Sequence, residues 1–417
     1  MYRKLVLDNG VRVVSERIPT LKSATVAIWV NTGSRDERPS QAGYSHFIEH
    51  MFFKGTRSRS AADISREIDG LGGEMNAFTT RETTTFYVKV LDQQLPRALE
   101  LLSDLFHHSR LDPREVEKEK QVVIEEIRMV QDDPEDFVQE LHTGQVLGSH
   151  PLGRSILGRE ETIRKLRRHD LLDYIDMHYD PAQVIVAIAG NFEQAAVQRL
   201  VVRYFGKTNP LRSTVKHARH PPEMRGGVLV KQKPLEQVHL CLGLEGIAAG
   251  HKDRYAVFAL NNILGGSVSS RLFQEVREKR GLVYSIYSFL SGYSDAGTIT
   301  VYAGTRSKEV KRVVELICRE IARLARTCVE KKELERAKNQ MKGSLMLSLE
   351  SSHSRMNKLA KDELIYGSRT SLEEILTQID SVTPEHVHSA GRQFFKLDRL
   401  AITGLGPVAL RTLESCR

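Results

Sequence analysis

The chain has 417 residues, with 61 Lys+Arg against 53 Asp+Glu, a formal net charge of +8, 40% hydrophobic and 27% charged residues. This is the composition of an ordinary globular protein; no run of about 18 apolar residues offers a membrane span, and the length predicts two to three domains. The charge is divided: residues 1–210 carry 28 basic and 31 acidic side chains and residues 211–417 carry 33 and 22, the basic surplus being interleaved with acids along amphipathic helices, which argues against nucleic acid as a partner.

The start, MYRKLVLDNG, has neither an apolar core nor an Arg/Ser-rich leader, so no targeting segment is expected. Two short strands over 5–7 and 11–14 flank Asp8-Asn9-Gly10, a hairpin signal. A third strand is predicted over 24–30, helices over 41–53 and 61–70, and strands over 74–78 and 83–91. Long helices follow over 93–108 and 113–131, the second opening on Pro113 behind Asp112. After two further helical stretches come a buried strand over 184–189 and a helix over 194–204.

Residues 206–226, with Asn209-Pro210 and Pro221-Pro222, read as a linker. The order then recurs: strands over 227–231 and 238–242, helices over 254–264 and 269–279, strands over 283–290 and 297–303, helices over 308–326 and 330–350, and a last strand over 400–404. An offset of 215 aligns Thr85-Phe-Tyr-Val with Thr300-Val-Tyr-Ala. The expected fold is therefore α+β, a tandem repeat of two homologous domains, each a mostly antiparallel sheet packed with helices. The domains are expected at 1–205 and 227–417. None of Cys241, Cys318, Cys328 and Cys416 sits in a CxxC pair, so a disulfide framework is not expected and a reducing cytoplasm is.

The chemistry concentrates in His46-Phe47-Ile48-Glu49-His50. Residues four apart lie above one another on a helix, so both imidazoles can reach one ion, and zinc suits neutral imidazole. Glu49 projects beside the pair and reaches a water on that metal without ligating; the order is the inverse of HExxH. A third protein ligand would leave one position open, and the helix over 113–131 offers Glu115, Glu117, Glu119, Glu125 and Glu126. Glu119 and Glu126, two turns apart, share a face.

These residues resemble the inverzincin peptidases of the pitrilysin family, nearest to the bacterial relatives of the mitochondrial processing peptidase β subunit. The resemblance is carried by Gly33-Ser34-Arg35, 46–56 (HFIEHMFFKGT), 72–82 (GGEMNAFTTRE), 122–127 (VVIEEI), 151–158 (PLGRSILG) and 180–192 (DPAQVIVAIAGNF). It implies one Zn2+ per chain held by His46, His50 and Glu126, and a catalytic set of Glu49 as general base with Glu119, Arg277 and Tyr284. Asn76 and Ala77 would bind an extended substrate as an added strand. The second repeat has Asn261, Leu264 and Gly265 where the first has His46, Glu49 and His50, so one active site per chain is implied. Arg277 and Tyr284, seven apart, resemble the family's substrate-contacting pair in the non-catalytic domain.

The function so implied is a zinc endopeptidase acting on unfolded or presequence-like peptides, basic and extended, as a cytoplasmic homodimer without nucleic-acid or membrane partners. The rival readings are a non-catalytic partner subunit of the same fold and a peptide-binding module with structural zinc. The intact metal set speaks against the first and the open fourth position against the second.

Overall fold

The computed structural model describes residues 1–206 and 219–415. Tyr2–Val6 (β1) and Arg12–Arg17 (β2) form the expected antiparallel hairpin. With Ser23–Val30 (β3), Glu74–Thr79 (β4), Thr84–Leu91 (β5) and Val184–Gly190 (β6) they build a six-stranded sheet in the order β1-β2-β6-β3-β5-β4. The helices of this half are Tyr44–Phe52 (α1), Ala61–Gly70 (α2), Leu95–His108 (α3), Pro113–Asp132 (α4), Pro134–Leu147 (α5), Glu160–Lys165 (α6), Arg168–His178 (α7) and Gln194–Phe205 (α8).

The second half repeats the plan. Gly227–Lys231 (β7), Val238–Glu245 (β8), Val283–Gly292 (β9), Gly297–Thr305 (β10) and Ala401–Leu405 (β11) form a sheet ordered β7-β11-β8-β10-β9. Offset by 215 residues, β3 falls on β8, β2 on β7 and β5 on β10, and the orders coincide apart from β1. In each sheet one pairing is parallel, β2 with β6 and β7 with β11, and the others are antiparallel. The helices are Arg254–Leu264 (α9), Val310–Arg326 (α10), Lys331–Ser348 (α11), Ser352–Tyr366 (α12), Leu372–Asp380 (α13), Pro384–Phe394 (α14) and Leu410–Glu414 (α15).

The division of the chain departs from the expected domains at 1–205 and 227–417. Among the described residues, the first unit takes Met1–Arg128, the described part of 154–218, and Leu347–Arg369; the second takes Met129–Gly153 and the rest. Each unit thus holds the helix that follows the other half's long helix. The reason is sheet burial. Strand β6 is buried along its whole length, and such a strand needs cover on both faces. On the far face Val14, Ala27, Trp29, Ile185 and Ala187 pack against Met356, Leu359 and Ala360 of α12. In the second unit α5 does the same, with Val138 against Cys241, Tyr302 and Leu405. Most of the expected linker, residues 207–218, and Cys416 lie outside the described residues.

Two further differences concern local structure. The helix expected over 269–279 is wound as a π-helix at Phe273–Glu278. The three helices α12, α13 and α14 occupy a stretch where no element is predicted. No described helix is long and apolar enough to cross a membrane.

Candidate metal centre

Helix α1 carries the histidine pair, and its start is fixed by a buried carboxylate. The four first N–H groups of a helix lack internal partners. Glu37 Oε2 accepts from Gly43 N and its Oε1 from Ser45 N, both at 2.8 Å. Burial pushes the Glu37 carboxyl up to about 8, against the opposing pull of these bonds and of the Arg154 guanidinium. Arg154 also donates to the Glu37 carbonyl oxygen. The chain 154–158 presses against the helix start: a Cβ on Gly158, whose φ is +80°, would come within 2.2 Å of Ala42 O. That contact explains a glycine at this place in PLGRSILG. Phe47, Ile48, Met51 and Phe52 anchor the helix in the core, which aims His46, Glu49 and His50 at α4.

Helix α4 is oriented by Val116, Val123, Ile124 and Ile127, all buried. That rotation presents Glu119 and Glu126 to α1. The Nε2 atoms of His46 and His50 each lie 3.5 Å from Glu126 Oε2, and the donor atoms of all three residues fall within 4.8 Å of one another. Tetrahedral zinc with bonds of about 2.0–2.2 Å sets neighbouring donors roughly 3.3–3.5 Å apart. The donor set and its spacing therefore fit zinc. It is the one such group of three His, Cys, Asp or Glu side chains among the described residues.

Around it, Glu119 is buried and bridges two cations, with Oε1 2.8 Å from His50 Nδ1 and Oε2 2.7 Å from Lys54 Nζ. Such a bond fixes the ring, here with Nε2 turned toward Glu126. His46 Nδ1, also buried, has no hydrogen-bond partner among the described residues. Hydrogen bonds from His46 and His50 hold the Glu126 carboxyl down at about 2. Burial disfavours the His50 imidazolium, but hydrogen bonds and charges from Glu119 and Glu126 outweigh it and push His50 up to about 9. A metal must therefore displace a proton from His50 at neutral pH. Zinc uptake at pH 7 is expected to release about one proton, and the apparent affinity to rise about tenfold per pH unit up to pH ~9. Titration calorimetry in two buffers of different ionisation enthalpy measures this; proton-neutral uptake would contradict it.

Glu49 is half-buried beside the histidines, and Thr79 Oγ1 donates to its Oε2 at 2.6 Å. Asn76 is exposed and Ala77 buried on β4, which pairs with β5 and ends the sheet. The Asn76 side chain accepts from Ala77 N at 2.8 Å. Arg277 and Tyr284 lie in the second unit, where the guanidinium rests 5.8 Å from the Tyr284 ring centre and 4.7 Å from that of Phe273. Tyr284 is 79% exposed.

Sequence reasoning thus misses Glu37, Lys54, Thr79 and Arg154 as parts of the site. Lys54, Thr79 and Arg154 stand inside the motifs that carry the resemblance, HFIEHMFFKGT, GGEMNAFTTRE and PLGRSILG. Their individual roles depend on contacts with residues far along the chain.

Comparison with known proteins places the chain in a family. Residues 12–160 match the family described as insulinase (peptidase family M16), and residues 165–341 match the peptidase M16 inactive domain. An uncharacterized zinc protease of Bacillus subtilis is 44% identical over 398 residues, 95% of this chain and 97% of that protein. One from Streptomyces coelicolor is 40% identical over 97% of this chain and 90% of that protein. A protease from Helicobacter pylori has the same fold, with a TM-score of 0.91 at 24% identity over 98% of this chain and all of that one.

Proposed function

The chain belongs to the insulinase peptidase family, M16, whose relatives are named zinc proteases, and from that premise we propose that it is a zinc-dependent endopeptidase with Glu49 as general base. The observation that carries this is the His46–His50–Glu126 donor set with a separate, unligating carboxylate beside it. Three protein ligands leave a coordination position open, the mark of a catalytic site over a structural one.

Zinc, when bound there, acidifies a water and withdraws charge from the peptide carbonyl. His46, His50 and Glu126 hold the ion, and Glu119, itself paired with Lys54, orients His50. Glu49 takes a proton from the attacking water on its carboxylate and returns it to the leaving amine. The open edge of β4 at Asn76 and Ala77 receives the substrate as a strand. An added strand competes with the Asn76 side chain for the Ala77 N–H. Arg277 and Tyr284 are assigned to substrate contact in the same proposal.

We assign the substrate to unfolded or presequence-like peptides, basic and extended. Support for basic residues comes from the acidic balance of residues 1–210. Against a simple charge effect, Glu115, Glu117 and Glu125 of α4 each carry a Lys or Arg three residues on. Exchange of Lys and Arg for Gln in a peptide series, with unchanged cleavage rates, would remove that preference. A homodimer in the cytoplasm completes the proposal, and light scattering of the purified chain measures the first of these.

The deciding experiment is metal analysis combined with cleavage of a broad peptide library. Near one zinc per chain is expected, with cleavage abolished by a chelator and recovered on adding zinc. Bound zinc without cleavage of any peptide would favour the peptide-binding or non-catalytic subunit instead.

A further inference from the structure

We propose that Thr79 is the positioning residue of Glu49, so that the strand offered to substrate also sets the orientation of the base; this rests on the reading of Glu49 as general base. Thr79 is the last residue of β4, the edge strand that carries Asn76 and Ala77. Side chains alternate along a strand. Phe78 packs on one face against Trp29 and Tyr87, and Ala77 and Thr79 take the other, toward α1. From there the Thr79 hydroxyl donates to Glu49 Oε2 at 2.6 Å.

The hydroxyl is delivered from a braced position. Just beyond it the chain turns, with Thr80 N donating to Thr83 O at 2.7 Å. Arg35 clamps this turn twice: its backbone N–H donates to Arg81 O at 2.7 Å, and its guanidinium to Glu82 Oε1 at 2.7 Å. The turn sits so close to Gly33 that a Cβ there would fall 2.4 Å from Thr80 O. Two residues past Arg35, Glu37 fixes the start of α1. The segment 33–37 therefore sets both the strand end that holds the donor and the helix that holds the acceptor.

A glutamate side chain has three rotatable bonds, and proton transfer needs its carboxylate within hydrogen-bond reach of the water. Holding Oε2 from one side leaves Oε1 to take the proton. Substrate that pairs with β4 steadies the same strand, so substrate docking and base orientation are linked through one residue.

The test uses the full zinc-loaded chain and a peptide found in the library screen, with Thr79→Val and Thr79→Ser made in both the natural and Glu49→Gln backgrounds. Thr79→Val is expected to lower kcat roughly 10- to 100-fold with KM within about twofold, while Thr79→Ser stays within about threefold. Zinc per chain and Tm should not change. In the Glu49→Gln background Thr79→Val should cost nothing further, since both changes act on one group. In a crystal structure of zinc-loaded Thr79→Val, the Glu49 carboxylate should leave its place while His46, His50 and Glu126 keep theirs. Natural kcat in Thr79→Val, or an unmoved Glu49 in that crystal structure, overturns the proposal. So does a loss of activity that follows zinc or Tm and is not recovered by serine. If the natural protein cleaves no peptide, the endopeptidase reading falls and the position of Glu49 in the Thr79→Val crystal structure alone decides the role of Thr79.

Discussion

Glu49→Gln is expected to lower kcat by about 10^3-fold or more while zinc stays near one per chain, because a positioned general base contributes roughly 10^2–10^4-fold. Glutamine has the same shape and keeps an oxygen for the Thr79 hydroxyl, but its amide cannot accept the proton of the attacking water. His46, His50 and Glu126 are untouched, so metal content separates loss of the base from loss of the ion. Steady-state cleavage of a fluorogenic peptide and metal analysis of the same preparation measure both. Activity equal to the natural protein would remove Glu49 from the mechanism.

Stability is expected to fall as pH rises from about 5 to about 8, and Glu37 is the reason. Burial raises its carboxyl from 4.5 to about 8 in the folded chain, while the unfolded chain titrates near the ordinary value. Between those two points the folded state binds the extra proton, so raising the pH favours unfolding. Below the lower point both states are protonated and the contribution is complete; above the upper point it is lost. The size is on the order of 5 kcal/mol for a shift of this extent.

Glu37→Gln is neutral throughout and isolates the effect, because other groups titrate equally in both proteins. The variant turns an NH2 toward one of the two N–H donors of α1, losing about 1 kcal/mol of hydrogen bonding. It should therefore be the less stable protein at pH 5 and no worse than the natural one at pH 8.5. Denaturant midpoints across that range, taken as a difference between the two proteins, check this. Parallel curves would show that Glu37 is ionised at all these pH values.

The strands β3 and β6 and the helices α1, α3 and α4 are legible from residue order, and α12 is not. The strands β3 and β6 and the helices α1, α3 and α4 bury apolar side chains at strand or helix spacing, and each is expected at nearly its observed place. Helix α12 buries Met356, Leu359 and Ala360, but also Ser352, Asp362 and Glu363. Its apolar stripe is diluted by charge: Asp362 pairs with Lys358 of the same helix, and Glu363 meets Lys4 of β1 at 2.9 Å and Arg12 of β2 at 3.4 Å. Nothing in the local pattern announces such a helix, nor that it covers the first sheet.

At the metal centre the division is similar. Spacing alone places His46 and His50 on one helical face with Glu49 beside them, and the order of strands and helices reveals the repeat. Those follow from periodicity, which acts over a few residues. Which glutamate of α4 meets the histidines depends on the rotation of that helix, set by the burial of Val116, Val123 and Ile127. Which hydroxyl holds Glu49, and which carboxylate caps α1, depend on chain segments 30 residues and 6–8 residues away. The exchange of α5 and α12 between the halves depends on the need of each sheet for cover on its second face. Contacts of these kinds are absent until the chain has packed, so residue order determined the chemistry on offer and the tertiary structure decided which groups are brought together.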